Sequence, residues 1–249
     1  MKLTIIGTGK MAEAIIEGIY RDIDVTVVGR DEGKLKYFQD KFNVKTKPLS
    51  YSVDISNENV LLAIKPFALR DVARKLKGEA LMLLSILAGV TIESLRENIK
   101  SQYYIRAMPN LAAAYQKSMT TLTGDETCKK EAVFICEKFG KALWLSSEKE
   151  LDIATAIAGS GPAFLALVAE SMSDGGVNEG LKRKDSEILV QGLFEGFYEL
   201  LSHKHPAIIK DEVMSPGGTT AAGVEALEKN KVRFSFISAI KRAYKRAKK

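Results

Sequence analysis

The sequence predicts an α/β protein in which a doubly wound parallel sheet is followed by an all-helical domain. Short β-branched runs alternate with amphipathic stretches through the first half of the chain. This alternation favours a parallel sheet with right-handed crossovers. After Ser147 the apolar residues recur only at helical spacing. We therefore expect a sheet domain over residues 1–147 and a helical domain over residues 148–249.

The strands are expected where β-branched residues cluster between turn residues. Their predicted bounds are Lys2–Gly7, Asp24–Gly29, Asn59–Ile64, Ala80–Ile86, Gln102–Met108 and runs near Met119–Leu122 and Ala142–Leu145. The helices of the second domain follow the 3.6-residue apolar period. They are predicted over Leu151–Ala158, Pro162–Asp174, Ser186–His203, Thr219–Lys229 and Val232–Lys248.

The net charge of +6 comes from the end of the chain. Six of the 37 basic residues lie in the stretch Lys241–Lys249, and without them 31 basic residues balance 31 acidic ones. A charged terminal helix of this kind is usually a solvated end. The composition therefore does not favour a nucleic-acid partner.

No membrane segment, leader or metal site is expected. The longest apolar run, Ala80–Val90, is about half the length that a membrane span needs. The N-terminal apolar run is too short for a signal peptide. Cys128 and Cys136 lie eight residues apart in a helical pattern, about 12 Å between their Cα atoms, which is too far for a disulfide. With two histidines besides, these spacings offer no metal site, and we expect a cytoplasmic protein.

A glycine fingerprint follows the first strand and opens an amphipathic helix. It reads Gly7-Thr8-Gly9-Lys10-Met11-Ala12. In this position Gly7 allows a sharp turn, Gly9 admits a pyrophosphate to the backbone, and Ala12 keeps the helix close to the strand. The helix start then holds the anion with its amides and its dipole. The sheet is therefore expected to be of the Rossmann type and to bind a dinucleotide.

The end of the second strand bears on the choice of cofactor. An NAD site usually carries a carboxylate there, whereas this strand ends at Gly29-Arg30, with Lys34 one helical turn on. The Arg30 guanidinium can pair with a 2′-phosphate. We therefore expect NADP(H), while NAD(H) stays open because Asp31 is only one position beyond Arg30.

Three more strand ends complete the expected cofactor site, because ligands bind at the carboxyl ends of parallel strands. These ends supply Ala63, Ile64, Lys65 and Pro66, then Ala88 and Gly89, then Met108, Pro109 and Asn110. The small residues at 88 and 89 would let a nicotinamide ring lie against the backbone. Arg106 either belongs to this edge or is a structural ion-pair partner.

The second domain carries a run of small and hydroxylated residues at a helix start. Ser215-Pro216-Gly217-Gly218-Thr219-Thr220 would present consecutive backbone amides and several hydroxyl groups. Such a run is expected to bind a carboxylate or a phosphate. A loop with a single threonine cap would explain only one of these hydroxyls.

The sequence resembles pyrroline-5-carboxylate reductase. The matching pieces span nearly the whole chain: Gly7–Ala12, Ala63–Pro66, Ser85–Gly89, Arg106–Asn110, Gly159–Ala163 and Ser215–Thr220. The last two are specific to that family. The resemblance implies reduction of 1-pyrroline-5-carboxylate, a cyclic imino acid, to L-proline with NADPH or NADH. It also implies that the helical domain dimerises by interleaving its helices, often in higher assemblies, with substrate near the dimer interface.

The resemblance also assigns roles in the second domain. It implies a substrate set of Val213, Ser215, Gly218, Thr219 and Thr220, in which the carboxylate lies on the Ser215 hydroxyl and the neighbouring amides. Thr220 is the candidate catalytic residue, hydrogen-bonded to the ring nitrogen. We expect the imine to react as its protonated iminium, because the only histidines, His203 and His205, fall in a predicted helix-end loop.

The sequence departs from the family pattern at four positions. Lys10 replaces a frequent Asn, Phe67 a frequent Gln, Ala112 a usual Pro and Ala158 a usual Ser. None of these removes the expected carboxylate receptor, so they bear on the cofactor more than on the reaction.

Two other functions share parts of this pattern. A β-hydroxyacid dehydrogenase would need a base, usually a Lys on the first long helix of the second domain, but Leu151–Leu181 contains no Lys, Arg or His. A dinucleotide-binding redox sensor could keep the Gly7–Ala12 turn, yet it would not need the loop at Ser215–Thr220.

Overall fold

The computed structural model describes residues 1–50 and 52–247, and these form two compact units. The first comprises Met1–Ser160 with the C-terminal segment from Ala243, and the second is Gly161–Arg242. The predicted domain boundary after residue 147 stays a prediction. The first unit reaches further because the helix that begins at Glu148 is ion-paired to the sheet.

An eight-stranded sheet forms the centre of the first unit, which also contains a separate two-stranded sheet. The strands are β1 Lys2–Ile6, β2 Asp24–Gly29, β3 Lys45–Pro48, β4 Val53–Asp54, β5 Asn59–Leu62, β6 Leu76–Lys77, β7 Ala80–Ser85, β8 Ser101–Met108, β9 Ser118–Gly124 and β10 Gly140–Trp144. The large sheet has the order β10-β9-β8-β7-β5-β1-β2-β3, and β4 pairs with β6.

The large sheet is parallel except at one place. Strand β9 runs antiparallel to β8, with Arg106 opposite Thr123, and β10 is parallel to β9. The predicted doubly wound parallel sheet is therefore confirmed, with one antiparallel pair, β8–β9. Since the connection from β8 to β9 is a short 3₁₀ turn over Leu111–Tyr115 and not a crossover helix, β9 must run back along β8.

Helices cover both faces of the sheet and make up the second unit. They are α1 Lys10–Ile19, α2 Glu32–Phe42, α3 Leu69–Ala73, α4 Ile92–Asn98, α5 Lys129–Glu137, α6 Glu148–Ala154, α7 Gly161–Asn178, α8 Arg183–His203, α9 Pro206–Val213, α10 Thr219–Lys229 and α11 Val232–Ala247. A π-helical turn, Thr155–Gly159, follows α6. Lys248, the predicted last residue of the terminal helix, lies outside the described residues.

The core of the first unit consists of two apolar layers, one on each face of the sheet. One layer packs Ile15 and Phe38 against the sheet, and the other packs Leu69 and Leu95 against the opposite face. The strands are apolar on both faces because helices cover both sides. Cys128 and Cys136 are free thiols buried in this unit, and burial raises the pKa of Cys136.

The sequence did not predict β3 or α9. Strand β3 reads Lys-Thr-Lys-Pro and is largely exposed, since it is an edge strand with one neighbour, so it has no apolar pattern to detect. Helix α9 is short and begins with a proline. His205 lies at its N-cap and its Nδ1 accepts a hydrogen bond from the Ala207 amide at 3.2 Å.

The second unit buries few side chains. Within the part of it that the structure describes, Ile209 is the one large apolar side chain that is buried, with the polar Ser173 and Ser186. Many large apolar side chains are exposed instead. They include Leu165, Leu167, Ile188, Leu189, Leu193, Val213, Leu227, Phe234 and Ile237.

One helical stretch, Glu148–Asn178, is long and apolar enough to cross a membrane by length and composition, and an 18-residue window within it has a mean hydropathy of 1.6. The run expected from the sequence to be the longest apolar one, Ala80–Val90, is strand β7 and its following turn, so the expectation of no membrane-length segment missed this helical stretch. A single helix of this kind does not decide for a membrane, because helices that pack in soluble assemblies have the same composition.

A buried ion pair joins the sheet to α6. Arg106 on β8 is 3% exposed, and its guanidinium binds Glu148 Oε1 at 2.6 Å and Asp152 Oδ1 at 3.3 Å. Glu148 Oε1 also accepts a hydrogen bond from the Ile92 amide at 3.0 Å. Of the two roles that the sequence left open, Arg106 therefore has the structural one.

We expect Glu148→Ala to lower the free energy of unfolding by about 2–3 kcal/mol, because it leaves a buried guanidinium with one of its two carboxylates. Urea unfolding measures the loss. The control is Glu97→Ala, an exposed carboxylate on α4 with no hydrogen bond or ion pair among the described residues. Equal stability of the two variants would contradict the role given to Arg106.

Candidate active site

A cleft of about 970 Å³ opens at the carboxyl ends of β1, β2, β5, β7 and β8. Most of the predicted cofactor residues line it. Those that do are Gly7, Thr8, Gly9, Lys10, Met11, Arg30, Ala63, Ile64, Lys65, Pro66, Ala88, Met108 and Pro109. The structure thus brings residues from five separate strand ends into one cavity of the first unit.

Three predicted cofactor residues do not line this cleft. Ala12 is fully buried against the sheet core, which fits its predicted packing role. Gly89 has a φ of +73° and forms the turn after β7. The Asn110 side chain is engaged within the protein, since its Oδ1 accepts from the Ala112 amide and its Nδ2 donates to the Ala158 carbonyl.

The two glycines of the fingerprint have different environments. Gly7 has a φ of +132°, and a Cβ there would lie 2.2 Å from the Ala63 carbonyl oxygen. A side chain at Gly7 would therefore separate the end of β1 from the end of β5. At Gly9 an added Cβ would meet nothing within 4 Å. The bare face of Gly9 is open cleft, as the predicted approach of a pyrophosphate requires.

Helix α1 begins beside this open space. Gly9 is its N-cap and supplies no side chain to the first turn. The first amides of the helix therefore remain available to an anion, and the helix dipole favours one there. The local geometry fits the phosphates of a dinucleotide.

The cleft also has lining residues that the sequence did not predict. Phe67 is 85% exposed and Leu111 is 77% exposed, and Leu49 lines the wall after β3. The only feature of the sequence that could have predicted these residues is their position just beyond a strand end, and this position is known only once the strand has been recognised. The missed strand β3 explains the missed Leu49.

The cleft is positively charged. Lys10, Arg30, Lys34 and Lys65 line it, with Asp31 as the acidic residue among the lining side chains. Asp31 Oδ1 caps α2 by accepting a hydrogen bond from the Lys34 amide at 3.0 Å. Among the described residues, no hydrogen bond or ion pair engages the cationic groups of Lys10, Arg30 or Lys65.

A second acidic residue near the helix start is compensated. Glu13, in the first turn of α1, accepts hydrogen bonds from Tyr37 Oη at 2.6 Å and Lys41 Nζ at 3.0 Å. The hydrogen bond from Tyr37 lowers the pKa of Glu13, and Lys41 contributes in the same direction. Its charge is thus paired with Lys41 on α2.

In the second unit, the loop before α10 is a type II turn. The Gly218 amide donates to the Ser215 carbonyl at 3.0 Å, and Gly217 has a φ of +70° behind Pro216. A Cβ at Gly218 would lie 2.4 Å from Ser215 Oγ, so only glycine fits there with that serine rotamer. Gly218 is the N-cap of α10 without a side-chain cap, which leaves the amides at Thr219 and Thr220 open.

Of the other predicted substrate residues, Val213 ends α9 and is 59% exposed. The two histidines lie at helix ends, since His203 is the last residue of α8 and His205 is the N-cap of α9. The hydrogen bond to His205 Nδ1 uses one ring nitrogen for this cap.

Comparison with known proteins bears on both units. Residues 148–249 match the family model described as pyrroline-5-carboxylate reductase dimerisation, and residues 2–89 match the model described as NADP oxidoreductase, coenzyme F420-dependent. A pyrroline-5-carboxylate reductase of Helicobacter pylori is 36% identical over 98% of this chain and 98% of its own length. The chain belongs to the pyrroline-5-carboxylate reductase family. The predicted resemblance is thus confirmed.

Other members of the family agree with this assignment. The pyrroline-5-carboxylate reductase of Synechocystis is 37% identical over 99% of this chain and 97% of its own length. The Streptococcus pyogenes reductase structure matches all of this chain and 98% of its own, with a TM-score of 0.86 at 28% identity. The Plasmodium falciparum reductase, solved with NADP bound, matches with a TM-score of 0.82 at 28% identity, over 100% of this chain and 97% of its own.

We expect Gly7→Ala to affect mainly the stability of the protein and Gly9→Ala to affect mainly NADPH binding. Gly7→Ala should lower the free energy of unfolding by at least about 2 kcal/mol, because it adds both backbone strain and a clash with Ala63. Gly9→Ala should change stability by less than about 1 kcal/mol and weaken NADPH binding at least about tenfold, because its methyl group occupies the open face of the cleft. Urea unfolding and NADPH titration measure the two effects. Normal NADPH affinity in Gly9→Ala would contradict the placement of the pyrophosphate.

Proposed function

We propose that this protein reduces 1-pyrroline-5-carboxylate to L-proline by hydride transfer from NAD(P)H, the final step of proline biosynthesis. The observation that carries the proposal is the cationic cleft at the strand ends in a chain that matches the reductase family over almost its whole length. The capless start of α10 adds a receptor for the substrate's carboxylate.

The residues of the cleft fit a phosphorylated dinucleotide. The α1 amides and Gly9 would hold the pyrophosphate, and Arg30 with Lys34 would hold a 2′-phosphate. NADPH is therefore the favoured cofactor and NADH the second choice, since Arg30 and Lys34 offer two cations to a 2′-phosphate while Asp31 Oδ1 is used to cap α2. When bound, the cofactor supplies a hydride to the imine carbon.

The substrate's carboxylate would lie at the type II turn. Ser215 offers a hydroxyl, and the amides around Gly218 and Thr219 point out of the unblocked helix start. An anion there is stabilised by the amides and by the helix dipole. The Thr220 hydroxyl would then hydrogen-bond the ring nitrogen, while Val213 supplies an apolar contact.

Proton supply need not come from a strong acid of the protein. A protonated iminium accepts hydride directly, so the protein's task is orientation of two reactants and exclusion of water. His205 uses one ring nitrogen for the cap of α9, which is consistent with a reaction that needs no histidine as an acid. The nitrogen of the product amine keeps the proton that the iminium already carried.

We infer that the protein works as a homodimer or a larger homo-oligomer. The second unit leaves large apolar side chains exposed on α7, α8 and α11 and buries almost none. A chain cannot leave so much apolar surface in water without a partner surface to cover it. Matched helices of a second copy, interleaved with these, would bury it. They would also cover the apolar stretch Glu148–Asn178, so we propose a cytoplasmic enzyme without membrane or nucleic-acid partners.

An assay of NADPH oxidation with the cyclic imine supplied tests the reaction. In Thr220→Ala we expect kcat to fall about tenfold or more, while the NADPH KM changes by less than about twofold, because the hydroxyl contacts only the substrate. Thr127→Ala, an exposed threonine of the sheet unit, is the control. No imine-dependent oxidation by the wild-type protein would refute the function, and unchanged kinetics in Thr220→Ala would remove Thr220 from it.

The choice of cofactor is tested at Arg30. Arg30→Ala should raise the NADPH KM about tenfold or more and leave the NADH KM nearly unchanged, because a lost charge-assisted hydrogen bond costs about 1.5–3 kcal/mol. Lys36→Ala, which removes a charge from α2 outside the cleft, should leave both constants alone. Equal losses with both cofactors would place Arg30 away from the 2′-phosphate.

A further inference from the structure

The side chain of Asn110 joins two parts of the first unit. Its Oδ1 accepts a hydrogen bond from the Ala112 amide at 3.1 Å and so starts the 3₁₀ turn after β8. Its Nδ2 donates to the Ala158 carbonyl at 2.9 Å, in the π-helical turn. The backbone amide of Asn110 donates to Ser118 Oγ at 3.1 Å. The residue is thus held at three points.

The Ala158 carbonyl needs this donor. In a continuous α-helix the carbonyl of residue 158 accepts from the amide of residue 162, and residue 162 is a proline, which has no N–H. The turn is also π-helical, with the Ser160 amide bound to the Thr155 carbonyl. Pro162 cannot make this bond, and the Asn110 side chain supplies a hydrogen bond to the same carbonyl.

The other end of this link is the wall of the cleft. Met108 and Pro109 line the cleft and immediately precede Asn110. In the strand order, β8 lies on the opposite side of β1 from β2, which carries Arg30. A dinucleotide lies across the strand ends with its two halves on the two sides of β1. Met108 and Pro109 therefore belong to the nicotinamide half.

We propose that Asn110 is a positioning residue for hydride transfer: it tethers the Met108–Pro109 wall to the π-helical turn and thereby fixes the surface against which the nicotinamide lies. The proposal rests on the proposed function. It differs from the sequence-based expectation, in which Asn110 contacts the cofactor, because both polar atoms of the side chain are already engaged.

Asn110→Asp and Asn110→Ala test the tether. Asp keeps the acceptor for the Ala112 amide and loses the donor to Ala158, whereas Ala loses both. We expect kcat to fall about tenfold or more in each, with the NADPH dissociation constant within about twofold of wild type, because the phosphate contacts lie at the ends of β1 and β2, away from β8. A parallel loss of NADPH affinity would show a direct cofactor contact and overturn the proposal. Asn98→Asp is the control, since Asn98 Nδ2 makes a like bond to the Ser94 carbonyl on α4.

A second substitution separates positioning from simple stabilisation. Pro162→Ala restores a backbone donor for the Ala158 carbonyl, so Asn110→Ala in that background has no orphaned carbonyl. Relative to Pro162→Ala alone, the double variant should keep its Tm and still lose about tenfold in kcat, since the wall remains untethered. Recovery of kcat together with Tm would mean that Asn110 only satisfies the carbonyl, and the proposal would fail.

A readout without turnover separates this proposal from the proposed function. In protein labelled at the methionine methyl groups, the Met108 signal in the NADPH-bound wild type should be single and sharp by NMR, and broadened or split in Asn110→Ala. This holds whether or not the imine is the substrate. An unchanged Met108 signal would refute the tether even if the reductase activity is present.

Discussion

The cleft depends on one close approach, that of the Gly7 backbone to the Ala63 carbonyl. A Cβ at Gly7 would lie 2.2 Å from that oxygen, so the turn after β1 can reach the end of β5 only without a side chain. This contact places the start of α1 beside Lys65 and Pro66 in one cavity. The strand ends that carry charge then face the same space. Cofactor binding therefore depends on the absence of a side chain at Gly7.

The two units differ in how much apolar surface each one buries within itself. The sheet unit buries its own apolar layers on both faces, and its buried Arg106 is compensated by Glu148 and Asp152. The helical unit has no comparable core among its described residues. If the proposed association with a second copy covers its apolar surface, dilution should affect this unit before it affects the sheet.

The sequence predicted those parts of the fold that carry a local pattern. The parallel strands were found within a few residues because their burial on both faces gives continuous apolar runs, and the Gly7–Ala12 turn was found from its glycines. The edge strand β3 was missed because it buries little. The partner of Asn110 was missed too, since Ala158 lies far along the chain and no local spacing encodes such a contact. The reversal at β9 depends on where the chain re-enters the sheet, which is also non-local.

The reversal of β9 and β10 divides the sheet into two functional edges. Because these strands run against β8, their last residues, Gly124 and Trp144, emerge at the edge opposite the cleft. The cleft lies at the edge shared by β1, β2, β5, β7 and β8. The opposite edge, for example at the exposed Thr127, is a surface where a fluorophore or an affinity handle can be attached without obstructing the cleft.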